Sequence, residues 1–415
     1  MKKKILFDVL ALFSIVIGFC VLFYFQDLDT GWLNQLKNSD KDTLVDKTVV
    51  ENSEYVDQKE ANQISEEVIL PKQSFEQPAK EEFLNCYCYT MLTEEEQQIY
   101  EEIYVVLRDM QEEVELSTLD TDRIEKAFNC VLNDHPELYY VEGYTYTTYS
   151  QNDVVTKLGF EGTYSKTKEE KEAIDGQINL YVENCFAGLP DDASDYEKVK
   201  YIYDYIIMNT EYNLNAKDSQ NICSVFLNGE SVCMGYAKAM QYLLLKQDIL
   251  CTIVNGTANP GEEHAWNLLL LDGQYYHLDV TWGDDSYTVA DGTQPSVGMV
   301  NYGFFCVTTE EISKTHTINS VVELPECIAS ENNYYVKEGY YFEGLDTEKL
   351  ANVFTKAYES QKGYVEIKCS DQVVYREIYS YLIEDQHIFD YLENSKDTVS
   401  YYDGEELLLL EFWLK

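Results

Sequence analysis

The sequence predicts a mixed α+β protein whose helical and sheet-forming parts are segregated along the chain. Three observations carry this. Residues 93–206 repeat apolar side chains at helical spacing. Residues 233–282 read as one helix followed by a two-strand hairpin. Residues 331–415 alternate strand, helix, strand, helix, strand. The material is sufficient: 415 residues, 45% apolar, with 36 Tyr and 17 Phe, supply two or three domains with real cores. Such a chain is not disordered, and seven Pro exclude a Pro-rich or collagen-like one. Eleven Cys are too few for a small disulfide scaffold. Lys and Arg number 30 against 75 Asp and Glu, a net charge of −45. That excludes nucleic acid as a partner, because phosphate contacts need a basic face. It also opposes charge-driven adhesion to anionic lipid.

The N-terminal residues predict an anchor. Lys2, Lys3 and Lys4 precede an apolar run over 5–25 in which Asp8 is the one charge. Roughly 20 such residues cross a bilayer core of about 30 Å, and the lysines keep the N-terminus cytoplasmic. Residues 1–25 are therefore expected to form a single-pass anchor, with the body extracytoplasmic at the cell surface. A cleaved signal is the rival, although Phe23-Tyr24-Phe25 is bulky where cleavage needs small residues. Residues 26–80 scatter acids among Gln, Asn, Ser and Lys without a period, and predict a disordered acidic linker.

Residues 81–194 form the predicted N-terminal, mainly helical region. Ile99, Ile103, Val106, Leu107 and Met110 share one face behind a capping box at Thr93 and Glu96. A second helix carries Ile124, Ala127, Phe128, Val131 and Leu132, and ends before His135-Pro136. The Tyr-rich stretch 138–149 reads as strand. Ile174, Ile178, Tyr181 and Cys185 mark a third helix. Ser194 and Glu197 cap a fourth, whose buried stripe is Val199, Ile202, Tyr203 and Ile206.

Chemistry concentrates in the predicted domain 195–330. Ala237, Met240 and Leu244 repeat at helical spacing just after Cys233, so Cys233 belongs at a helix start, where the dipole favours negative charge. Downstream, the run 264–271 meets the run 274–282 across Asp272-Gly273, a two-residue hairpin signal. With those two residues as the loop, Trp266 faces Asp279 and His264 faces Thr281. Alternation then puts Asp279 on the His264 face, diagonal to it, at about 7–8 Å between backbones. A carboxylate there can fix the imidazole tautomer while the other ring nitrogen takes a thiol proton. His277 falls on the same face and is a weaker rival to His264.

Cys233 in Ser-Val-Cys-Met-Gly-Tyr-Ala, His264 in His-Ala-Trp-Asn and Asp279 in Tyr-His-Leu-Asp-Val-Thr-Trp together resemble the transglutaminase-like superfamily of papain-like Cys-His-Asp folds. The resemblance covers roughly 195–316 and is nearest to bacterial, membrane-anchored members. More loosely it reaches upstream to Asp134-His135-Pro136-Glu137-Leu138-Tyr139. It implies a helix bearing the nucleophile packed on an antiparallel sheet. It implies Cys233 as nucleophile, His264 as base and then acid, and Asp279 as orienter of a catalytic triad. Gln220, in Ser-Gln-Asn, becomes the candidate oxyanion donor beside the Cys233 amide. Trp266, Trp282 and Tyr236 are expected to line the cleft. The implied activity is a cysteine peptidase, amidase or acyltransferase working through a thioester, with hydrolysis preferred because water needs no dedicated site. The implied substrate is protein or peptide, cell-wall peptide included. A catalytically idle surface binding or scaffold protein using the same groove is the alternative.

No cofactor and no metal are expected, since Asp284-Asp285 lacks a spaced oxygen-ligand motif. Cys86 and Cys88, one residue apart, are awkward partners for a mutual disulfide. The last predicted domain, 331–415, is a small α+β unit: strand 334–342, a helix through Leu350, Val353, Phe354 and Ala357, strand 364–369, helix 373–391 and strand 407–414.

Overall fold

The structure, a computed structural model, describes residues 45–51, 56–59, 80–151, 154–258, 261–284, 300–393 and 398–414. It is α+β, as predicted, and divides into two compact units. One holds the described residues through Tyr275 together with Thr315–Glu326, and the other holds Tyr276–Lys314 and the chain from Cys327. The expected boundary between 194 and 195 is not a unit boundary. Side chains explain why: Gln241 Nε2 donates to Asn133 O at 2.6 Å and to Cys251 O at 3.2 Å, tying the N-terminal helices to the later sheet.

The first unit opens with β1 (Val45–Glu51) and β2 (Val56–Lys59). These two strands correct the reading of 26–80 as wholly disordered. β1 adds antiparallel to β4, whose edge offers backbone partners. Helices α1 (Tyr87–Thr90), α2 (Glu94–Asp109) and α3 (Thr121–Asp134) follow, with β3 (Val114–Glu115) between the last two. The α2 capping box forms as expected: Glu96 N donates to Thr93 Oγ1 and Thr93 N to Glu96 Oε2. Burial pulls the Glu96 carboxyl up, but Lys126 and the Thr93 bonds outweigh it and hold it down near about 2. β4 (Val141–Gln151) and β5 (Val154–Tyr164) complete a sheet of order β2-β1-β4-β5-β3.

Helices α4 (Lys168–Phe186) and α5 (Asp195–Asn209) begin at capping boxes on Thr167 and Ser194. A short parallel pair, β6 (Glu211–Tyr212) and β7 (Glu230–Ser231), brackets a π-helical turn over Ser224–Asn228. Helix α6 (Cys233–Leu245) then packs on β8 (Cys251–Ala258) and β9 (Glu262–Leu271). Asp272 and Gly273 take φ of 52° and 76°, the two left-handed residues of a type I′ turn. β10 (Gln274–Leu278) starts in this unit, and the unit boundary follows Tyr275. β11 (His316–Ile318) pairs antiparallel with β8, giving the order β10-β9-β8-β11.

The second unit carries α7 (Thr309–Ile312), α8 (Tyr334–Glu338), β12 (Tyr341–Phe342), α9 (Thr347–Glu359), β13 (Tyr364–Cys369), α10 (Gln372–Tyr379), β14 (Ser400–Gly404) and β15 (Leu409–Trp413). Its sheet runs β12-β13-β15-β14, with β12 parallel to β13 and the other pairs antiparallel. The predicted strand 334–342 is instead mostly helix. Asn333 caps it by accepting from Tyr335 N at 3.1 Å, and Gly339 ends it at φ 85°. Tyr334 stacks on Tyr302 at 3.7 Å, so its ring is spent on packing rather than on strand alternation.

The predicted membrane anchor lies outside the described residues. Among the described residues no helix is long and apolar enough to cross a membrane. The longest, α4, buries Ile178 and Cys185 and begins with the charged run Lys168-Glu169-Glu170-Lys171-Glu172. The expected single-pass placement is corrected to this: the described residues supply no membrane-crossing helix.

Candidate active site

Cys233 is the first residue of α6 and is half-buried. Its helix can start there because Gly235 lacks a side chain. A Cβ at 235 would sit 2.1 Å from Ser231 Oγ, 2.4 Å from Ser224 Oγ and 2.8 Å from Ser219 O. The two serine hydroxyls bond each other at 2.6 Å, and Ser224 Oγ also donates to Asn221 O at 2.8 Å. Residues 219–231 are thereby folded against the first turn of the Cys233 helix. Gln220 lies in this stretch, in a turn, with its side chain exposed.

Beneath the helix, Ala237, Ile253 and Ala265 form one apolar cluster, and Met234 packs on it. Asn267 Nδ2 donates to Ala237 O at 2.9 Å, a bond buried on both sides. Ala265 and Asn267 thus point toward α6. His264 and Trp266 alternate to the opposite side of β9. There the His264 ring stacks on Trp266 at 6.1 Å between centroids.

This second face contains a residue the sequence reading missed. His316 of β11 lies 5.3 Å from the His264 ring and 5.0 Å edge-on from Trp266. It is 3% exposed, and Thr315 Oγ1 pairs with its Nδ1 at 2.8 Å. Gly256 makes room for this arrangement. It faces His264 on β8, and a Cβ there would lie 2.0 Å from Thr317 O and 2.8 Å from the Trp266 ring. No local signal marks His316, because only the β8–β11 pairing, across nearly sixty residues of chain, brings it in.

Asp279 belongs to the second unit. It is fully buried, and its Oδ1 accepts from Thr281 N at 2.9 Å and from Trp282 N at 3.2 Å. These bonds turn the chain, so β10 stops at Leu278 and Thr281 does not continue the strand as expected. Trp282 is half-buried and edge-on to Phe304 at 4.9 Å. His277, the rival base, is fully buried. Its backbone pairs both ways with Val307 and its Nε2 meets Thr309 Oγ1 at 3.3 Å. That is a structural histidine. Tyr236 is fully buried 6.4 Å from Tyr212, a core ring rather than the cleft wall expected. Trp266, also fully buried, supports the His264 face from within.

Residues 184–280 match the sequence model of a family described as the Transglutaminase-like superfamily. Those residues are a transglutaminase-like domain. They span α5, α6, β8, β9 and the hairpin that carries the candidate residues. Kyphoscoliosis peptidase of Mus musculus and that of Homo sapiens are each 25% identical to this chain over 173 residues, 37% of this chain and 26% of theirs. The chain therefore matches about a quarter of the length of these curated relatives. Similar solved structures include a TGase, 16% identical with TM-score 0.26, covering 38% of this chain and 47% of the other. A candidate cysteine protease from Cytophaga hutchinsonii is 16% identical with TM-score 0.23, covering 43% and 71%. Within the transglutaminase-like domain, a nucleophile-bearing helix on an antiparallel sheet is what the sequence resemblance implied.

Proposed function

We propose that the transglutaminase-like domain is a thiol enzyme acting on amide bonds of protein or peptide substrates. Cys233 is its nucleophile, His264 its proton acceptor and donor, and Asp279 the group that orients His264. The observation that carries this reading is the start of α6. Cys233 is the first helical residue and half-buried, and its helix packs on β9, the strand that bears His264. The first-turn N–H groups of a helix have no carbonyl inside it and end the helix dipole, which suits an oxyanion forming beside Cys233. Gln220 is the second donor in this reading, supported by the contact of Ser219 with the first turn. Asp279 enters this reading as the residue that follows β10, the second strand of the Asp272-Gly273 hairpin.

The steps follow from these roles. The Cys233 thiol gives its proton to His264 as sulfur attacks the carbonyl carbon. The C–N bond breaks, His264 protonates the departing amine, and a thioester remains. Water deprotonated by His264 then releases the acid and restores the thiol. An amine acceptor in place of water would make the reaction a transamidation. Hydrolysis is the preferred outcome, in keeping with relatives named as peptidases.

The test uses the full chain with fluorescent casein, in wild type, Cys233→Ala and His264→Ala. Hydrolysis in wild type, absent from both variants, with a Cys233 thioester trapped by hydroxylamine, is the expected result. Hydrolysis that survives Cys233→Ala would overturn the mechanism. Release of labelled amine adducts without hydrolysis would overturn the preference for water.

A further inference from the structure

Outside the transglutaminase-like domain lies a separate line of thiol, imidazole and carboxylate. Cys86 Sγ is 3.8 Å from His135 Nε2, and His135 Nδ1 lies 2.8 Å from Glu137 Oε1. His135 is wedged among aromatic rings: Tyr104 stacks on it at 4.1 Å, and Phe83 and Tyr100 close it at 6.1 and 6.0 Å. Burial pulls the His135 ring down, but Cys86 and Glu137 outweigh it and push it up to about 10. Burial likewise raises Glu137, and the His135 contact more than reverses this, so the carboxyl is held below its ordinary range. The cluster is not sealed. The Glu137 side chain is 44% exposed, and Cys86 keeps 9% of its surface where Cys130 and Cys185 keep none. Other thiols sit in plainer surroundings. Burial alone pushes Cys185 up to about 12.

We propose that Cys86 is a modification site, a cysteine that reacts with hydrogen peroxide and small organic hydroperoxides, with protonated His135 as its ion-pair partner and proton donor and Glu137 as the group that holds the imidazole. The reacting sulfur is the thiolate facing the imidazolium at His135 Nε2. The sulfur attacks the terminal peroxide oxygen, an S–O bond forms and the O–O bond breaks. The leaving hydroxide or alkoxide takes the proton from His135. The products are Cys86 sulfenic acid and water or an alcohol; sulfur gives up two electrons and the peroxide gains them. The site also explains the sequence phrase Asp134-His135-Pro136-Glu137. Asp134 anchors α1 through Cys88 N at 3.0 Å and Tyr89 N at 2.9 Å, which fixes Cys86 opposite His135. Pro136 is the single residue between His135 and Glu137, whose carboxylate reaches back to Nδ1.

The test is done on reduced full-length chain carrying Cys233→Ala, so that the proposed nucleophile of the other site is absent. The protein is exposed to dilute hydrogen peroxide, transferred to denaturant containing dimedone, and mapped by peptide mass spectrometry. Sulfenic acid is expected at Cys86 at least about 10-fold ahead of Cys185 and Cys251. That lead should vanish in Glu137→Gln, whose exposed side chain leaves the fold intact, and in His135→Gln, with melting curves confirming both are folded. Oxidation of Cys86 no faster than of Cys185 and Cys251 would overturn the proposal. So would an undiminished lead in folded Glu137→Gln.

Discussion

Two regions of the first unit each offer a cysteine, and they are built on opposite plans. Cys233 starts a 13-residue helix, and small groups meet its first turn at Gly235: Ser224, Ser231 and the backbone of Ser219. Cys86 precedes a four-residue helix and faces an imidazole enclosed by Tyr100, Tyr104 and Phe83. The first cysteine opens a helix whose first turn is hemmed by small groups, and the second closes against an imidazole inside an aromatic shell.

The comparison can be broken most decisively at the first region. Cys233→Ala should lower amide hydrolysis by at least about 10³-fold, measured as initial rate on casein. The same rate in the variant would erase the functional difference between the two cysteines. Next in size is Asp134→Ala in the second region. It removes the acceptor of Cys88 N, Tyr89 N and the Tyr100 hydroxyl, and should cost about 3 kcal/mol in urea unfolding. Asn267→Ala, under the Cys233 helix, should cost less, about 1–2 kcal/mol, because one bond to Ala237 O is lost. Gly235→Ala should cost about 1–3 kcal/mol, as the Ser231 and Ser224 hydroxyls must yield. If Gly235→Ala leaves stability untouched, the small-residue packing at Gly235 is not what shapes the start of α6.

A pH slope should appear in the second region. His135 holds its proton in the folded chain up to about pH 10, against 6.5 as its ordinary value. Its contribution to stability is therefore full below pH 6.5 and is lost as pH rises through about 10. Thermal melts across that range should show wild type losing its advantage over His135→Gln as pH climbs. A constant difference between the two would mean that His135 is not charged in the fold.

The local elements of both regions were legible before the fold was known. Thr93 with Glu96 and Ser194 with Glu197 cap helices where the sequence puts them, because a capping box is satisfied within four residues. Cys233 opens α6, and Asp272-Gly273 closes the hairpin, because dihedral preference and apolar period are properties of short segments. The same logic misjudged residues 334–342, where Tyr334 serves tertiary stacking on Tyr302 rather than a strand face. It also placed Tyr236 in a cleft although the ring is buried.

By itself, then, the sequence determined the α+β class, the capped helices, the hairpin and the order Cys233, His264, Asp279. Only the tertiary structure decided that His316 reaches the His264 face and that Cys86 meets His135, contacts spanning 52 and 49 residues of chain. It also decided that Gly256 must stay small where β11 and Trp266 close in. The physical reason is range. Caps, turns and periodicity are settled by neighbours a few residues away, whereas a side chain's partner across a sheet is settled by which strands pair, and that choice depends on burial summed over the whole unit.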